Sequence, residues 1–478
     1  MDEFVDRKRE IVDLGRFAAD PGAQFVMVYG RRRVGKTTLL TTWAKKSGLP
    51  TLYWVAKREA RATLMANLAG QILAWERGGD PSGMAVRPAD WDAVFDELAR
   101  AVGKRKCIVI LDELPYLIES DPAFLSYLQA AWDHKLKRTG VRFLVSGSHI
   151  GMMTRLLDYQ APLYGRFTGQ LPLMPLSFHD IGPFLPGYDV HKRLAVYAVL
   201  GGVPAYLERW RSDETLGANF ERLFFQRTGW FRNEPTVLVS DLTRRETEGY
   251  EAVLRAIAAG HHIREEIAKA IDLPSTALSH YLPRLCELGL VERRIPATVP
   301  LARRRSSRES RYVLSDPYLR FHYRFVDPNL YLIEQGLARA LWTRIQEQLR
   351  AFVADTFEEL CRTWTLAMAR RGKLPFDPEV IGSHWSRDGQ VDVVAIDWRG
   401  KKILLGEAKW GAGKVGREVV RGLFDKTPRV VPDGGKGWKI HHVFFARDGF
   451  TEPARAEAAA RGALLRTLKE MEPELDGG

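Results

Sequence analysis

The first third of the chain alternates short apolar runs with turns and with longer segments of helical periodicity. The continuous apolar runs cover residues 25–29 (FVMVY), 107–111 (CIVIL) and 143–145 (FLV). Uninterrupted runs of this length are typical of strands buried on both faces of a parallel sheet. Residues 38–45, which follow the first run and its turn, have a helical pattern. The pattern therefore predicts an α/β domain with a parallel sheet.

The turn after the first apolar run has two glycines and a lysine at a defined spacing. It reads GRRRVGKT and satisfies G-x-x-x-x-G-K-[ST], between a strand and a helix as that motif requires. Gly30 and Gly35 let backbone N–H groups surround phosphate oxygens, and the helix N-terminus adds partial positive charge. We expect Lys36 to reach the β- and γ-phosphates and the Thr37 hydroxyl to bind Mg²⁺. The expected phosphate-loop contacts to the nucleotide are Gly30, Arg31, Arg32, Arg33, Val34, Gly35, Lys36, Thr37 and Thr38.

The other two apolar runs end in residues that complete such a site. Asp112 is expected to hold Mg²⁺ through water, and Glu113 to act as general base toward the attacking water. This acidic pair argues against the alternative that the glycine-rich turn is only a basic surface loop. Ser148 is the candidate sensor of the γ-phosphate, with Ser146 as the second candidate. Arg166 follows a turn glycine and suits an arginine finger or an internal charge clamp, the alternative being an ordinary surface or ion-paired arginine.

These segments together carry a family resemblance. FVDRKREIVDL, YGRRRVGKTTLL, ILDELPYL, VSGSHIGMM, PLYGR and GGVPAYL resemble the archaeal-type ATPases of the AAA+/STAND group of P-loop NTPases, over about the first 210 residues. The resemblance implies ATP as the nucleotide, base contacts from Phe4, Val5 and Arg7, and adenine packing by Pro204 in a helical lid. From the residues alone, GGVPAYL is a glycine and proline helix breaker between apolar segments. No lid arginine of the sensor-2 type is evident.

From about residue 248 the pattern changes to three short helices followed by two strands around an arginine-rich tip. Ser275 is predicted to cap the third helix. The exposed side of that helix is expected to present Thr276, Ser279, His280 and Arg284. The arginines of the tip are Arg303, Arg304, Arg305, Arg308 and Arg311, which with one glutamate give a net charge of +4. This segment resembles a winged helix-turn-helix.

Two interpretations of this winged segment stay open. The third helix could enter a major groove while a flexible wing binds phosphates. The segment could instead act as a rigid interlock between the ATPase and the following domain, with the arginine tip as a solvated loop. The block of positive charge favours DNA contact.

The C-terminal part contains a β-hairpin pattern, VDVVAI and KILLGEAKW around a tight turn. Alternation places Glu407 and Lys409 on one face, and folding the hairpin about Arg399 places Asp392 opposite Gly406. Two carboxylates and an ammonium therefore converge. This arrangement suits a Mg²⁺ held by Asp392 and Glu407, with Lys409 positioning or deprotonating a water near a scissile phosphate.

The hairpin resembles the PD-(D/E)xK nuclease fold, and the aromatic segment 316–323 resembles the start of a domain of unknown function that accompanies these ATPases. The nuclease resemblance implies a further acid from a helix, Glu358 or, as the second candidate, Glu359. Val391 stands where that fold has a proline, so an inactive nuclease fold is the alternative.

The composition of the chain restricts the classes of partner and the cellular compartment that we expect. The chain has 478 residues, and 71 Lys and Arg against 59 Asp and Glu give a net charge of +12, which favours a polyanionic partner. The three cysteines, Cys107, Cys286 and Cys361, form no CxxC pair, which indicates a reducing compartment. The longest stretch without Asp, Glu, Lys or Arg, residues 194–207, is too short to span a membrane. We therefore expect a cytoplasmic protein without a membrane partner.

The predicted organisation has four parts. They are a P-loop ATPase core (1–180), a helical lid (181–245), a winged helix-turn-helix (246–316) and an α/β restriction-endonuclease-like domain (317–478). The leading hypothesis is an ATP-dependent molecular switch acting on or near DNA. The alternatives are a metal-dependent endonuclease regulated by ATP, a DNA-binding ATPase without cleavage, and a signalling or scaffold ATPase with an inactive nuclease-like domain. A homo-oligomer or a protein partner is compatible with each.

Overall fold

The computed structural model describes residues 7–79, 86–243 and 247–475, which form two compact units. The first unit consists of the described residues of Met1–Pro175 together with Val203–Ala205. The second consists of those of Leu176–Gly202 and Tyr206–Gly478. The lid, the winged segment and the C-terminal part predicted from the sequence lie largely within this second unit.

The first unit is a five-stranded parallel sheet with helices on both faces. Its elements are α1 (Lys8–Ala19), β1 (Gln24–Tyr29), α2 (Lys36–Ser47), β2 (Thr51–Val55), α3 (Arg61–Arg77), α4 (Trp91–Val102), β3 (Cys107–Asp112), α5 (Leu114–Ser120), α6 (Phe124–His134), β4 (Val141–Gly147), α7 (Ile150–Arg155) and β5 (Gly169–Pro172). The strand order is β2-β3-β4-β1-β5. The predicted parallel α/β sheet is confirmed.

Side-chain alternation along the buried strands builds the two halves of this core. In β1, Phe25 and Met27 pack with α3, α4 and α6, whereas Val26 and Val28 pack with α1 and α2 on the opposite face. Both faces are apolar, which explains the continuous hydrophobic runs. Because all strands are parallel, their carboxyl ends meet at one edge, where ligands of such sheets bind.

The second unit begins with helices and ends in a mixed sheet. Its first elements, together with α9 at the boundary with Val203–Ala205, are α8 (Val190–Leu200), α9 (Pro204–Leu207), α10 (Leu216–Phe220), α11 (Glu234–Thr243), α12 (Thr247–Ala258), α13 (Arg264–Ala270), α14 (Leu278–Glu287), β6 (Val291–Arg294) and β7 (Arg311–Leu314). The later ones are α15 (Pro317–Phe321), α16 (Leu330–Glu334), α17 (Ala338–Arg370), β8 (Val380–Ser386), β9 (Gly389–Asp397), β10 (Lys402–Lys409), α18 (Arg417–Val430), β11 (Lys439–Ala446), α19 (Glu452–Ala460), β12 (Leu464–Thr467) and α20 (Leu468–Met471). The strand order of the C-terminal sheet is β12-β11-β10-β9-β8, with β10, β11 and β12 parallel and β8, β9 and β10 antiparallel.

Two local predictions need correction. Helix α14 begins only at Leu278 with Ala277 at its N-cap, so Ser275 lies in the preceding turn and does not cap the helix. In the β9–β10 hairpin, Val393 pairs with Gly406, one residue away from the predicted partner Asp392. The cause is a four-residue turn between Asp397 and Lys402, whose centre lies after Arg399 and not on it. None of the described helices is long and apolar enough to cross a bilayer.

Candidate functional site

The glycine-rich loop joins β1 to α2 at the carboxyl edge of the first sheet. A Cβ added to Gly30 would lie 2.3 Å from the Leu173 carbonyl oxygen, so this position has no room for a side chain. Gly35 and Arg33 adopt positive φ angles of 93° and 66°. Such angles suit glycine and turn the backbone sharply between the strand and the helix.

Lys36 closes this loop from within. Its Nζ donates hydrogen bonds to the carbonyl oxygens of Gly30 (2.9 Å) and Arg31 (3.1 Å) and to Ser148 Oγ (2.9 Å). The side chain is buried. Burial lowers the pKa of Lys36, while the charges of Glu113 and Asp112 act in the opposite direction. The ammonium therefore sits between the loop and the two acidic residues.

Asp112 is buried at the end of β3, and its carboxylate accepts four hydrogen bonds. Thr37 Oγ1 (2.8 Å) and the Tyr53 hydroxyl (2.7 Å) both donate to Oδ2. The Glu113 backbone N–H (3.0 Å) and the Ser146 hydroxyl donate to Oδ1. The predicted pair of Thr37 and Asp112 is thus assembled, and Ser146 belongs to it.

Tyr53 also belongs to this site, although no sequence motif predicts it. It lies on β2, which pairs with β3, and its ring is half-buried. Burial and the hydrogen bond to Asp112 raise the pKa of Tyr53, so the hydroxyl keeps its proton and acts as a donor. The available signal was the position of Tyr53 near the end of a strand adjacent to the acidic pair.

Glu113 follows directly and adopts a left-handed conformation with φ of 56°. Its Oε1 accepts a hydrogen bond from Ser148 Oγ (2.5 Å), and its Oε2 accepts the Ser148 backbone N–H (3.3 Å). Since Ser148 also accepts from Lys36, the hydroxyl connects the ammonium to the carboxylate. The predicted sensor serine and the predicted general base therefore lie in direct contact.

The other predicted nucleotide contacts divide into two groups. Arg32 Nη2 donates to the Tyr116 hydroxyl (3.0 Å), and Pro204 lies 4.0 Å from a Cβ position built on Gly35. Arg7 is buried and donates to the Val34 carbonyl (3.0 Å), so its side chain supports the loop backbone. Phe4 and Val5, predicted to contact the base, lie outside the described residues.

Arg166 is not directed at the acidic pair. Its guanidinium forms an ion pair with Asp133 on α6 (2.8 Å) and donates to the carbonyl oxygens of Pro162 (2.9 Å) and Tyr164 (3.1 Å). About a quarter of the Arg166 side chain and a third of the Asp133 side chain are exposed. In this conformation Arg166 fits the ion-paired alternative, and the finger role stays a prediction.

Two of the predicted C-terminal carboxylates lie near each other: burial and then the charge of Glu407 raise the pKa of Asp392. Asp392 Oδ2 accepts the Ala408 backbone N–H (2.9 Å), which ties β9 to β10 beyond their last ladder pair. Lys409 Nζ lies 2.6 Å from Glu407 Oε1, so these two residues share one face of β10 as predicted. Lys426 on α18 contacts the other oxygen, Glu407 Oε2, at 2.6 Å and also the Gln390 carbonyl at 2.7 Å.

Lys426 was not predicted as part of this site. It comes from a helix that follows the hairpin, and no local motif links it to Glu407. The Glu407 carboxylate is therefore held between two ammonium groups.

The two adjacent glutamates of α17 have different surroundings. Burial and the nearby charge of Asp392 raise the pKa of Glu358, while Arg362 and Lys409 oppose this shift. Glu359 instead binds Arg294 (2.9 Å) and, more weakly, Arg320 (3.4 Å). Glu358 is thus the glutamate that adjoins the predicted carboxylate site.

Neither site shows a ready-made metal centre. The described residues contain no group of three or more His, Cys, Asp or Glu side chains that could hold a metal ion. At the first sheet edge, Thr37 and Asp112 offer a hydroxyl and a carboxylate, an oxygen donor set of the kind that binds Mg²⁺ together with phosphates and water. The three carboxylates Glu358, Asp392 and Glu407 remain predicted metal ligands.

Comparisons with known proteins identify an ATPase domain in the first part of the chain. Residues 4–210 match a family described as an ATPase domain predominantly from Archaea, and residues 322–419 match a family described as archaeal and bacterial proteins of unknown function. An uncharacterized protein of Methanocaldococcus jannaschii is 30% identical over 432 residues, which cover 89% of this chain and 92% of the relative.

Solved structures resemble the chain more distantly. The Walker-type ATPase PABY2304 of Pyrococcus abyssi aligns with a TM-score of 0.50 at 20% identity, covering 67% of this chain and 96% of that one. The ORC2 protein of Aeropyrum pernix, in its ADPNP–ADP complexes, aligns with a TM-score of 0.43 at 18% identity, covering 70% and 96%. The first of these similarities supports the P-loop ATPase fold.

Proposed function

The chain belongs to the family of ATPases described predominantly from Archaea, and from this premise we propose that it is an ATP-dependent molecular switch of the AAA+/STAND type. The observation that carries the proposal is the continuous set of hydrogen bonds from Lys36 through Ser148 to Glu113, beside the pair of Thr37 and Asp112. The side chains that the proposal assigns to phosphate and Mg²⁺ binding and to activation of water thus lie at one edge of one sheet.

Each residue has a distinct role in this proposal. Lys36 binds the β- and γ-phosphate oxygens in place of the loop carbonyls. Thr37 and Asp112 would hold Mg²⁺, which would neutralise charge on the phosphates. Glu113 orients and deprotonates the attacking water. Ser148 donates to Glu113 and so keeps its carboxylate in place beside the Lys36 ammonium.

The switch itself depends on the polypeptide around Pro204. Val203–Ala205 belong to the nucleotide unit, whereas the residues immediately before and after them belong to the second unit. Pro204 lies beside Gly35 of the phosphate loop. A nucleotide that contacts both the loop and Pro204 would therefore favour one conformation of the polypeptide immediately before and after Val203–Ala205. The four-part organisation with boundaries after residues 180, 245 and 316 is part of this proposal.

The test combines binding and turnover. We expect Lys36→Ala to abolish nucleotide binding or turnover and Glu113→Gln to retain bound ATP without hydrolysing it. ATP hydrolysis at the wild-type rate in both variants would overturn the proposal. Limited proteolysis with and without ATP tests the switch, because a protein without a switch would give the same fragments.

We also propose that α12–α14 and the β6–β7 hairpin form a winged helix that contacts duplex DNA. Two observations support this: Ser279 and His280 on α14 are exposed, as are three arginines of the hairpin loop. These arginines are Arg303, Arg305 and Arg308. Two other arginines of the predicted wing are engaged within the protein, since Arg304 donates to the Pro296 carbonyl (2.9 Å) and Arg311 lies 4.9 Å from the Trp385 ring centre.

The interlock interpretation of the same segment also has support. The Ala297 backbone N–H donates to the Ser383 carbonyl (2.8 Å), and the Thr298 hydroxyl contacts His384 Nδ1 at 2.6 Å. The loop between β6 and β7 is therefore attached to β8, the edge strand of the C-terminal sheet. Duplex affinity that falls with salt and falls further after Arg303, Arg305 and Arg308 are changed to alanine would favour DNA contact. Unchanged affinity would favour the interlock alone.

A second candidate function is metal-dependent cleavage of phosphodiesters by the C-terminal domain. The observation that favours it is the convergence of Asp392, Glu407 and Lys409, with Glu358 adjoining and Lys426 as a second cation. Incubation of DNA with Mg²⁺ or Mn²⁺, with and without ATP, tests it in the wild type and in Asp392→Ala and Lys409→Ala. Cleavage that both substitutions abolish supports a nuclease. No cleavage, with ATP hydrolysis retained, supports a scaffold ATPase with an inactive nuclease-like domain.

A further inference from the structure

An open groove of about 570 Å³ lies within the second unit, between the β6–β7 hairpin and the C-terminal domain. This volume is in the range of ligand-binding clefts. Strand β6 and its following loop form one wall, α17 a second and β8 the third. The side chains that matter for its chemistry are Arg293, Arg294, Arg304, Arg362, Leu366 and Trp385.

The four arginines of this groove differ in how their charge is balanced. Arg294 binds Glu292 (2.8 Å) and Glu359 (2.9 Å). The third acidic residue that lines the groove, Glu379, lies 3.6 Å from Arg399 outside it. The carboxylates of the groove are therefore already engaged.

The other three guanidiniums are held by backbone carbonyls. Arg293 donates to Ser307 O, Arg304 to Pro296 O and Arg362 to Asp392 O, each at 2.9 Å. In the described part of the chain, none of these three arginines forms a salt bridge with a carboxylate. Carbonyl contacts orient a guanidinium but do not neutralise it, and each arginine has further N–H groups beyond those used here.

Electrostatics agrees with this geometry. Burial lowers the pKa of Arg304, whose guanidinium is thus partly removed from solvent. An anion entering the groove would offset the accumulated positive charge of fixed, partly desolvated guanidiniums.

The remaining surface of the groove is apolar and aromatic. Leu366 of α17 is 39% exposed although it is a large hydrophobic residue. Trp385 is fixed by a hydrogen bond from its ring N–H to the Glu309 carbonyl (3.0 Å) and by Arg311 at 4.9 Å from its ring centre. A rigid indole beside oriented arginines suits a ligand that carries both phosphates and planar bases.

We propose that this groove binds a strand of single-stranded nucleic acid, with Arg293, Arg304 and Arg362 contacting phosphates and Trp385 and Leu366 contacting bases. A duplex keeps its bases stacked inside, so apolar contacts of this kind favour an unpaired strand. A free nucleotide carries the same phosphate and base as a nucleic-acid strand, and the experiment below distinguishes these two ligands. The site is distinct from the ATP site and from the exposed arginines of the hairpin loop.

The experiment measures the fluorescence anisotropy of 5′-fluorescein-labelled dT₁₂ with the full-length protein in EDTA. Arg293→Ala/Arg304→Ala is compared with the matched control Arg339→Ala/Arg344→Ala. Both variants remove two positive charges, but Arg339 and Arg344 lie on the exposed surface of α17 and do not line the groove. We expect at least a tenfold weaker affinity for the groove variant and less than a threefold change for the control.

Equal losses in the two variants, or no loss in either, would overturn the proposal. Displacement of the labelled strand by dTMP at an equal concentration of nucleotide units would overturn it in favour of a free nucleotide. Weak competition by dTMP supports the strand.

Cross-linking to the wild-type protein tests the same proposal without relying on the folding of the groove variant. Wild-type protein is irradiated with a dodecamer that contains 5-iododeoxyuridine, and the cross-linked peptides are mapped by mass spectrometry. We expect the cross-link in the peptide that contains Trp385. Cross-links confined to α14 or to residues 303–308 would contradict the groove. Because EDTA prevents metal-dependent cleavage and ATP is absent, these outcomes are independent of the proposed ATPase and nuclease functions.

Discussion

The nucleotide site and the C-terminal carboxylate site contain the same kinds of groups but balance their charges differently. In the nucleotide site, the Asp112 carboxylate accepts from three hydroxyls and one backbone N–H, and Lys36 donates to two carbonyls and a hydroxyl. No ion pair at salt-bridge distance joins Lys36 to either acid among the described residues. In the C-terminal site, Glu407 is bound directly by Lys409 and Lys426.

This difference in charge balance determines how easily each site could accept a metal ion or a phosphate group. Neutral hydroxyls that hold Asp112 can turn toward a bound cation at little cost, and Lys36 can exchange carbonyl oxygens for phosphate oxygens. A cation at Glu407 must displace or share a carboxylate that two ammonium groups already occupy. The first site is therefore arranged for its ligands, whereas the second needs a rearrangement before Glu407 can bind a metal.

The largest expected effect comes from Lys36→Ala. Removal of the ammonium eliminates the only lysine in the phosphate loop, and we expect a loss of about 10²–10³-fold in kcat/KM for ATP. Steady-state ATPase assays measure it. Lys45→Ala is the matched control, since Lys45 lies on the same helix and is exposed. If the two variants were equally active, the nucleotide site would be no better arranged for catalysis than the C-terminal one.

Glu113→Gln separates binding from hydrolysis within the same site. Glutamine keeps an oxygen to accept from Ser148 but cannot take a proton from water, so we expect about a 10²-fold fall in kcat with ATP affinity retained. Filter binding with labelled ATP and turnover assays measure the two quantities. Asp96→Asn, an exposed carboxylate on α4, should change neither. Loss of binding together with turnover would mean that Glu113 holds the site together and is not the general base.

Sequence could predict most of the nucleotide site because its parts come from consecutive segments of one sheet. The motif around Lys36 and the acids after β3 lie at strand ends, and parallel strands bring their ends to the same edge. Ser146 and Ser148 follow from the same rule. Tyr53 could not be predicted in this way, because its hydrogen bond to Asp112 depends on its position along β2 and on no sequence motif.

The C-terminal site was less accessible to such reasoning. Alternation along β10 correctly placed Glu407 and Lys409 on one face, but the hairpin register was wrong by one residue because the centre of the turn lies after Arg399 and not on it. Lys426 reaches the site from α18, and Arg294 approaches α17 from the hairpin β6–β7. Both contacts depend on tertiary packing between elements distant in sequence.

The adjacent glutamates of α17 test the electrostatics of the C-terminal site. Burial and then the charge of Asp392 raise the pKa of Glu358 above its ordinary value of 4.5. Above pH 4.5, the Glu358 carboxyl therefore keeps its proton in the folded protein but loses it in the unfolded chain. The free energy of unfolding therefore falls as the pH rises above 4.5 toward the folded-state pKa. Glutamine cannot ionise, so we expect the free energy of unfolding of Glu358→Gln to fall less between pH 5 and 8 than that of the wild type, by on the order of 1–2 kcal/mol. Chemical denaturation at the two pH values, in EDTA, measures it.

Glu359→Gln provides the opposite expectation on the same helix. Although burial acts against ionisation, the charges of Arg320 and Arg294 hold the pKa of Glu359 below its usual range. Its ionised form thus adds stability above pH 4.5 that is lost as the pH falls, and Glu359→Gln should destabilise the protein at neutral pH. The same pH response in both variants would show that the two carboxyls do not differ as their contacts indicate.

The smallest effect is expected for Tyr53→Phe, which removes one of the three hydroxyls that hold Asp112. Thr37, Ser146 and the Glu113 backbone N–H remain, so we expect a loss of about 1 kcal/mol of stabilisation, or about a fivefold weaker response of the ATPase to Mg²⁺. Titration of ATPase activity with Mg²⁺ measures it. Tyr116→Phe is the matched control, because the Tyr116 hydroxyl accepts from Arg32 and does not bind Asp112. A loss as large as that of Lys36→Ala would show that the hydroxyls around Asp112 act as one unit, so that this site, like the one at Glu407, depends on every contact.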